Sequence, residues 1–246
     1  VKQKSNNLLK NSEMIMDVLN NFTEMHKAQL THQKMLWDKL TIYSDMQGSK
    51  SELSSKHEKI NEIEKSIVPD ELKLNNIKTC IEANASILPA PIAESLQKDI
   101  TKMYAEYEKF KNALQKIKKD LNDRLELWKE YQESCDKLQQ LLEETEANLK
   151  NFTLKSSLED KQDALKNYQT VLMTLKANES EFDLLSDKAS DLIQSCGESK
   201  TSVFVQQIKS RFLSDENAAK EVVKKCEQMV NDHKLYQDRY KNCNQE

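Results

Sequence analysis

The fold is decided by the stretch Ile100-TKMYAEYEKFKNALQKIKKDLNDRLELWKEYQESCDKLQQLLEETEANLKN-Phe152. With Ile100 as heptad position a, positions a and d carry apolar or aromatic residues for more than seven heptads, apart from Arg124 and Thr145. No Gly or Pro interrupts the pattern, which therefore predicts one continuous helix. Extended back to Ile92, that helix would be about 90 Å long. It must belong to a coiled coil or be shared by successive bundles. The a positions are Ile100, Tyr107, Leu114, Leu121, Trp128, Cys135, Leu142 and Leu149; the d positions are Met103, Phe110, Ile117, Arg124, Tyr131, Leu138, Thr145 and Phe152.

The composition of the 246-residue chain favours long amphipathic helices throughout. It has 2 glycines and 3 prolines, too few for the many turns of a sandwich, a barrel or a βαβ array. Charged residues make up 32% and hydrophobic residues 37%, which suits helices with narrow apolar stripes. Gly48 and Gly197 alone cannot form either of the common glycine-rich phosphate loops. The sequence indicates no reaction.

The charge pattern argues against a nucleic-acid or membrane partner. Thirty-seven basic and 41 acidic residues are mixed along the chain, giving a net charge of −4, whereas nucleic-acid binders concentrate basic residues on one face. The densest basic run, residues 116–119, includes an apolar residue and is followed by Asp120, as on a solvated helix face. No apolar run is long enough for a membrane span or a signal peptide. We expect the chain, which begins at Val1, to be a fragment of a longer protein.

The cysteines and histidines give no pattern for a metal or for catalysis. The five cysteines are far apart, and none forms a CxxC pair. The four histidines lie away from any thiol pair, and His233 at a heptad a position is interpreted as a packed core residue. We therefore predict no catalytic residue, no metal and no cofactor. The scattered cysteines also predict that the protein resides in a reducing compartment. Four N-x-[ST] triplets leave a secreted protein as the alternative; they begin at Asn21, Asn84, Asn151 and Asn178.

The remaining periodic segments predict an all-α protein made of two three-helix bundles. Pro69 and the Leu88-Pro-Ala-Pro91 stretch are interpreted as helix breaks, and Gly48 as a weak point inside a helix. Cys196-Gly197 is interpreted as a helix end, and Ser156 or Ser157 as a helix start. The predicted domains are 1–120, with helices about 7–67, 70–88 and 91–120, and 121–246, with helices about 121–152, 157–196 and 200–244; the linking helix is continuous around 115–130.

A short internal repeat accompanies this helix order. Leu36-Trp37 recurs as Leu127-Trp128, and Leu235-Tyr236 occupies the same place again. Repeats of this kind mark tandem structural units. We therefore expect Trp37, Trp128 and Tyr236 to be structural core residues.

With these features the chain resembles a tandem of spectrin repeats. The stretch Leu121-NDRLEL-Trp128 resembles the third-helix pattern of that family, and Leu138-QQLLEET-Glu146 resembles its first-helix pattern. Leu141 stands where the family has a tryptophan. That departure, together with the short middle helix of the first repeat, argues against conventional spectrin. Repeats rich in Lys, Glu, Asn and Ser are typical of the giant linkers, which include nesprins, dystrophin relatives and plakins, and among these the chain most resembles a nesprin. The resemblance implies left-handed three-helix bundles in which the third helix of one repeat continues into the first helix of the next.

The resemblance also implies a function. The chain would be a non-enzymatic, semi-rigid rod in a cytoskeletal linker, on the cytoplasmic face of the outer nuclear membrane, where nesprins couple the nucleus to actin. The expected partner is a cytoskeletal or actin-regulating protein such as a formin. Leu127 and Leu141, both at g positions of the long helix, are the candidate docking residues. We expect the segment to be monomeric, without direct membrane contact.

Two other assemblies fit long amphipathic helices. A BAR-like membrane-bending dimer also has three long helices, but it needs basic residues concentrated on a concave face, which the interspersed charges do not favour. A parallel two-stranded coiled-coil rod is the other alternative. The proline breaks at Pro69 and at 88–91 favour helices that fold back on one another instead.

Overall fold

The part of the chain that is described is built from helices joined by short connections. A computed structural model describes residues 2–243, and these contain six α-helices and no strand, which confirms the all-α prediction. The helices are α1 (Lys2–Ile42), α2 (Lys50–Ala83), α3 (Ala90–Lys150), α4 (Leu158–Ala177), α5 (Glu179–Cys196) and α6 (Lys200–Cys243).

The helices form two compact units, Val1–Leu125 and Glu126–Glu246. Unit 1 contains α1, α2 and the first part of α3, and unit 2 contains the rest of α3 with α4, α5 and α6. The division falls inside α3, five residues after the boundary that we placed at 120/121. The heptad stretch beginning at Ile100 lies in this helix, and its a and d residues supply much of the core of both units.

The core of unit 1 is formed by apolar residues that recur on one face of each helix. Leu40, Leu53, Ile60, Leu74 and Leu114 are at most 1% exposed. A charged contact at the edge of this core ties α2 to α3, since the Lys118 ammonium lies 2.6 Å from a Glu64 carboxylate oxygen. Gln115 donates to the other oxygen of the same carboxylate at 2.7 Å.

The helix predicted over residues 7–67 is wrong, because two helices occupy that range. α1 ends at Ile42, and α2 begins at Lys50 with Ser49 as its N-cap. The Ser49 hydroxyl accepts from the Glu52 N–H, while the Glu52 carboxylate accepts from the Ser49 N–H at 2.7 Å. This reciprocal capping box satisfies backbone donors that a continuous helix would not leave open. Gly48 turns the chain into it at φ +130°, so it is part of a connection and not a weak point inside a helix.

The helix break predicted at Pro69 is also wrong, since α2 runs through Pro69 and ends at Ala83 instead of residue 88. Pro69 lies on the exposed face of α2, where the carbonyl that loses its helical donor can reach water. The neighbouring residues Ile67, Asp70 and Leu74 are buried on the opposite face. Their packing offsets the cost of about 3 kcal/mol that an internal proline carries.

The core of unit 2 is likewise formed by fully buried apolar residues. Leu138, Leu142, Leu175, Leu185 and Leu192 are at most 1% exposed. Hydrogen bonds from buried or partly buried side chains connect α3 to the other helices: Tyr131 OH donates to the carbonyl of Thr201, Tyr168 OH to the carbonyl of Asn148, and Lys188 to the hydroxyl of Ser134.

The helix predicted over residues 157–196 is wrong in one respect, because it is broken at Asn178. That residue ends α4, and its side chain donates to the carbonyl of Thr174 at 2.8 Å. Asparagine favours such local hydrogen bonds over helix continuation. The two ends are as predicted: Ser157 caps α4, and Gly197 ends α5 in the left-handed conformation at φ 69°.

Candidate functional site

Trp37, on α1 of unit 1, lies at the edge of the core. Its side chain is half-buried and packs edge-on against Phe110 of α3, with ring centroids 5.1 Å apart and an interplanar angle of 84°. T-shaped pairs of this kind stabilise beyond their buried area. Trp37 lies in the last two turns of α1, whereas Trp128 lies about six turns before the end of α3. The repeated Leu-Trp pair therefore does not occupy equivalent positions in the two units.

Trp128 is a core residue of unit 2. It is 9% exposed and packs edge-on against Tyr131 at 5.9 Å. Its indole N–H is buried without a hydrogen-bond partner. The side chain therefore contributes through apolar burial and ring packing, and not through a polar anchor.

Tyr236 is not a core residue, and that prediction is wrong. Its side chain is 67% exposed, because the last turns of α6 that are described have few neighbours from the rest of unit 2. Leu235 and Tyr240 are similarly exposed, at 55% and 61%. The Tyr236 and Tyr240 rings stack with centroids 6.3 Å apart. We call Leu235, Tyr236 and Tyr240 the α6 aromatic patch.

A polar edge borders the α6 aromatic patch. The His233 Nδ1 atom lies 2.9 Å from the Lys161 ammonium of α4, so Nδ1 is the acceptor and the ring proton lies on Nε2. Lys161, His233 and Tyr236, with Met229 and Asp232, line a cavity of about 330 Å³. His233 is therefore half-buried at the rim of unit 2, and not packed in its core as the heptad position indicated. Exposed aromatic rings beside a cation are typical of protein-binding surfaces.

Leu127 and Leu141, the docking residues proposed from the heptad pattern, are both half-buried in unit 2. Neither is among the solvent-exposed large apolar residues of unit 2. The three-helix core absorbs these g positions, since each of three helices must bury a wider stripe than in a two-stranded coiled coil. The patch on α6 offers more accessible apolar surface than either leucine.

The interior of unit 1 contains a charged cluster that the sequence did not reveal. Asp70 is 1% exposed, and its two carboxylate oxygens lie 2.9 Å from His32 Nε2 and 3.1 Å from the Lys73 ammonium. A buried carboxylate requires such partners. Asp70 follows Pro69 and was interpreted as part of a break, but the Gln29-x-x-His32-Gln33 interruption in the apolar stripe of α1 was visible.

Unit 2 buries a carboxyl group of its own. Asp215, at a heptad d position of α6, is 7% exposed, and one of its carboxylate oxygens has no hydrogen-bond partner. Its pKa is raised from 3.8 to about 6, chiefly by burial and also by the nearby Glu146 carboxylate, while the Arg211 guanidinium opposes both. The Arg211 guanidinium donates twice to one Glu146 oxygen, at 2.9 and 3.1 Å.

The described side chains form no recognisable reactive centre. No three or more His, Cys, Asp or Glu residues within 2–243 are grouped so that they could hold a metal ion. None of the five cysteines, all in the described part, forms a disulfide, and burial raises the thiol pKa of Cys135 and Cys226, which disfavours the thiolate that nucleophilic attack requires. No helix in the described part of the chain is long and apolar enough to cross a membrane.

One relative covers nearly the whole chain. The chain is 43% identical over 227 residues, 92% of its length, to the protein named Muscle-specific protein 300 kDa of Drosophila melanogaster. It spans 2% of the length of that protein. No family model matches the chain. Because less than one tenth of the chain is left unaligned, the alignment includes both units.

Proposed function

We propose that the chain is a non-enzymatic scaffold segment of a giant nesprin-like cytoskeletal linker, and that it docks a protein partner. The observation that carries this proposal is the alignment of both helical units with a short stretch of a very large relative. A chain of helical bundles that aligns with 2% of the length of such a protein is suited to spacing other domains and to docking a partner protein. Three-helix bundles offer long surfaces but no cleft in which acid–base groups are desolvated together.

The partner that we propose is an actin-regulating protein such as a formin, and the docking surface is the α6 aromatic patch. Its rings are exposed and stacked, and it lies beside the Lys161–His233 pair. Aromatic residues contribute most of the binding energy at many protein interfaces. The location that follows is the cytoplasmic face of the outer nuclear membrane, reached through other parts of the full protein. The name of the relative makes muscle the tissue in which to look first.

A binding assay with purified proteins tests the partner. The 246-residue chain is immobilised and presented with a formin, with filamentous actin and with anionic vesicles of phosphatidylserine and phosphatidylcholine. We expect formin to bind, and the double variant Tyr236→Ser/Tyr240→Ser to weaken binding at least about tenfold. The matched control is Met173→Ser/Leu184→Ser, which removes two exposed apolar residues elsewhere in unit 2 and should bind as the wild type does.

The outcomes separate the proposal from its alternatives. Binding of vesicles but not of formin or actin would favour the BAR-like alternative. Equal weakening by both double variants would contradict the α6 aromatic patch as the docking surface. Location is tested separately by tagging the full-length protein in muscle cells and staining after the plasma membrane alone is permeabilised; a nuclear rim that stains only after the nuclear envelope is opened would contradict it.

A further inference from the structure

The middle of α1 enters the core of unit 1 with polar residues where the other helices use apolar ones. Phe22, Leu36 and Leu40 anchor α1 and are at most 3% exposed. Between Phe22 and Leu36, the buried residues of α1 are Gln29 and Gln33, at 4% and 8% exposure. We call residues 23–35 the α1 seam.

The two glutamines of the α1 seam are poorly satisfied. The amide nitrogens of Gln29 and Gln33 are buried without a hydrogen-bond partner. Reversing the amide orientation would leave each carbonyl oxygen in that environment instead. An unpaired buried amide costs about 1–3 kcal/mol relative to water, where it is fully hydrogen-bonded. Release of α1 would return both amides to water and recover that cost.

The packing on both sides of the α1 seam is incomplete. A cavity of about 270 Å³ lies between α1 and α2, and its lining includes Gln29 and Ile77. A second cavity, of about 420 Å³, lies between α1 and α3, and its lining includes Gln33 and Met103. Both are open to solvent and are bordered by charged side chains such as Lys73 and Lys102, so α1 covers its neighbours only in part along the seam. Within the seam, the His32–Asp70 hydrogen bond joins α1 to α2.

Unit 2 provides an internal comparison. Its first helix is the second part of α3, and over a stretch of similar length it buries Tyr131, Cys135, Leu138 and Leu142, the last three at 1% exposure or less. Tyr131 is also satisfied, because its hydroxyl donates to the carbonyl of Thr201. The first helices of the two units therefore differ in what they bury: α1 buries unpaired amides over this length, whereas the second part of α3 buries mainly apolar side chains.

We infer that α1 releases from unit 1 at the seam as a separate step, before α2 and α3 part and before unit 2 opens. The free energy of this local opening is lower than that of global unfolding because the seam buries two unpaired amides and lies between two grooves that are open to solvent. Release uncovers Ile77 of α2 and Met103 of α3. This inference goes beyond the proposed function and does not depend on it. Release of α1 makes unit 1 the unit that unfolds first under mechanical load or on heating.

Hydrogen–deuterium exchange of the whole chain tests the inference. Protection factors of backbone amides are compared for residues 23–35, for residues 53–67 of α2 and for residues 131–142 of α3. We expect the α1 seam to be at least about tenfold less protected than either reference segment. The variant Gln29→Leu/Gln33→Leu should raise seam protection at least about tenfold. The control Gln97→Leu adds an apolar side chain at an exposed position of α3 in the same unit and should change nothing.

Two results would overturn the inference. One is equal protection of the seam and of α2 in the wild-type chain, a comparison that does not depend on any variant folding. The other is a variant in which protection rises equally in the seam and in residues 53–67 of α2, because that would show stabilisation of unit 1 as a whole and no separate step. The first turns of α1 are excluded from the comparison, since Leu8 and Leu9 are 70% and 63% exposed and those turns exchange rapidly in either case.

Discussion

His32 Nε2 and Asp70 Oδ2 lie 2.9 Å apart, although the two residues are separated by 38 positions in the sequence. This contact joins α1 to α2 in a part of unit 1 that otherwise buries unsatisfied amides. Asp70 is 1% exposed, whereas the His32 side chain is 27% exposed and Lys73 is 55% exposed. Removing the carboxylate therefore leaves the ammonium free to return to water but leaves His32 without its partner.

Replacement of Asp70 tests that contact. Asp70→Ala should lower the free energy of unfolding of unit 1 by about 2–3 kcal/mol, because it deletes the partner of a half-buried ring and leaves a void. Each unit contains one of the two tryptophans, so denaturant unfolding followed by Trp37 fluorescence in a Trp128→Phe background reports on unit 1. The control Asp123→Ala removes an exposed carboxylate of the same unit and should stay within about 0.5 kcal/mol. Equal effects of the two variants would contradict the structural role of Asp70.

Unit 2 should become less stable as the pH rises through the range set by Asp215. Its pKa is raised from 3.8 to about 6, so the folded state binds the proton more tightly than the unfolded state does. The contribution is therefore present below pH 4 and lost as the pH rises to about 6, by roughly 3 kcal/mol at most. The measurement is the free energy of unfolding from pH 4 to 8, followed by Trp128 fluorescence in a Trp37→Phe background.

Two variants isolate the Asp215 contribution. Asp215→Asn should flatten the decrease between pH 4 and 6, because the amide does not titrate. The control Asp187→Asn, at an exposed position of α5, should retain the decrease. A wild-type profile that rises from pH 4 to 6 and is unaffected by Asp215→Asn would contradict a buried carboxyl group with a raised pKa.

The connection between α1 and α2 gives a third prediction. Gly48→Ala should lower the free energy of unfolding of unit 1 by about 1–3 kcal/mol, because φ is +130° and the new methyl carbon would lie 2.8 Å from a Glu52 carboxylate oxygen. Ser51→Ala, at an exposed position in the first turn of α2, is the control and should change little. A stabilised Gly48→Ala variant would instead support the continuous helix that the sequence suggested.

The sequence predicted α3 well because its heptad pattern is long and unbroken, so periodicity alone outweighs local effects. The break after Ile42 was missed because its signal is local: Ser49 and Glu52 form a capping box that Gly48 precedes. Pro69 was misjudged for the opposite reason. Its cost depends on which face of α2 is exposed, and that is settled by the packing of α1 and α3.

The sites were harder to predict than the helices. The burial of Asp70 depends on a histidine on another helix, and no spacing rule connects the two positions. Tyr236 shared a sequence pattern with Trp128 but lacks its neighbours, because exposure is decided by where the surrounding helices end and not by the local residues. Leu127 and Leu141 are docking candidates on the sequence because they lie at g positions beyond the a and d seam, but both are half-buried, since a helix in a three-helix bundle buries a stripe wider than a and d alone.

The aromatic residues of unit 2 give a fourth prediction. Tyr236→Ala should change the free energy of unfolding by less than about 0.5 kcal/mol, because its side chain is 67% exposed. Trp128→Ala should cost about 3–5 kcal/mol, because the ring is buried against Tyr131. Both are measured by urea denaturation followed by circular dichroism. A cost for Tyr236→Ala as large as that for Trp128→Ala would contradict the assignment of Tyr236 to an exposed surface.

We propose that a single chain folds into two three-helix bundles and acts as a scaffold without pairing with a second copy. Light scattering of the purified chain during size-exclusion chromatography measures this most directly, over a range of protein concentrations. We expect a mass of 28.6 kDa that does not change with protein concentration. A stable dimer would contradict it and would favour a BAR-like assembly or a two-stranded coiled coil.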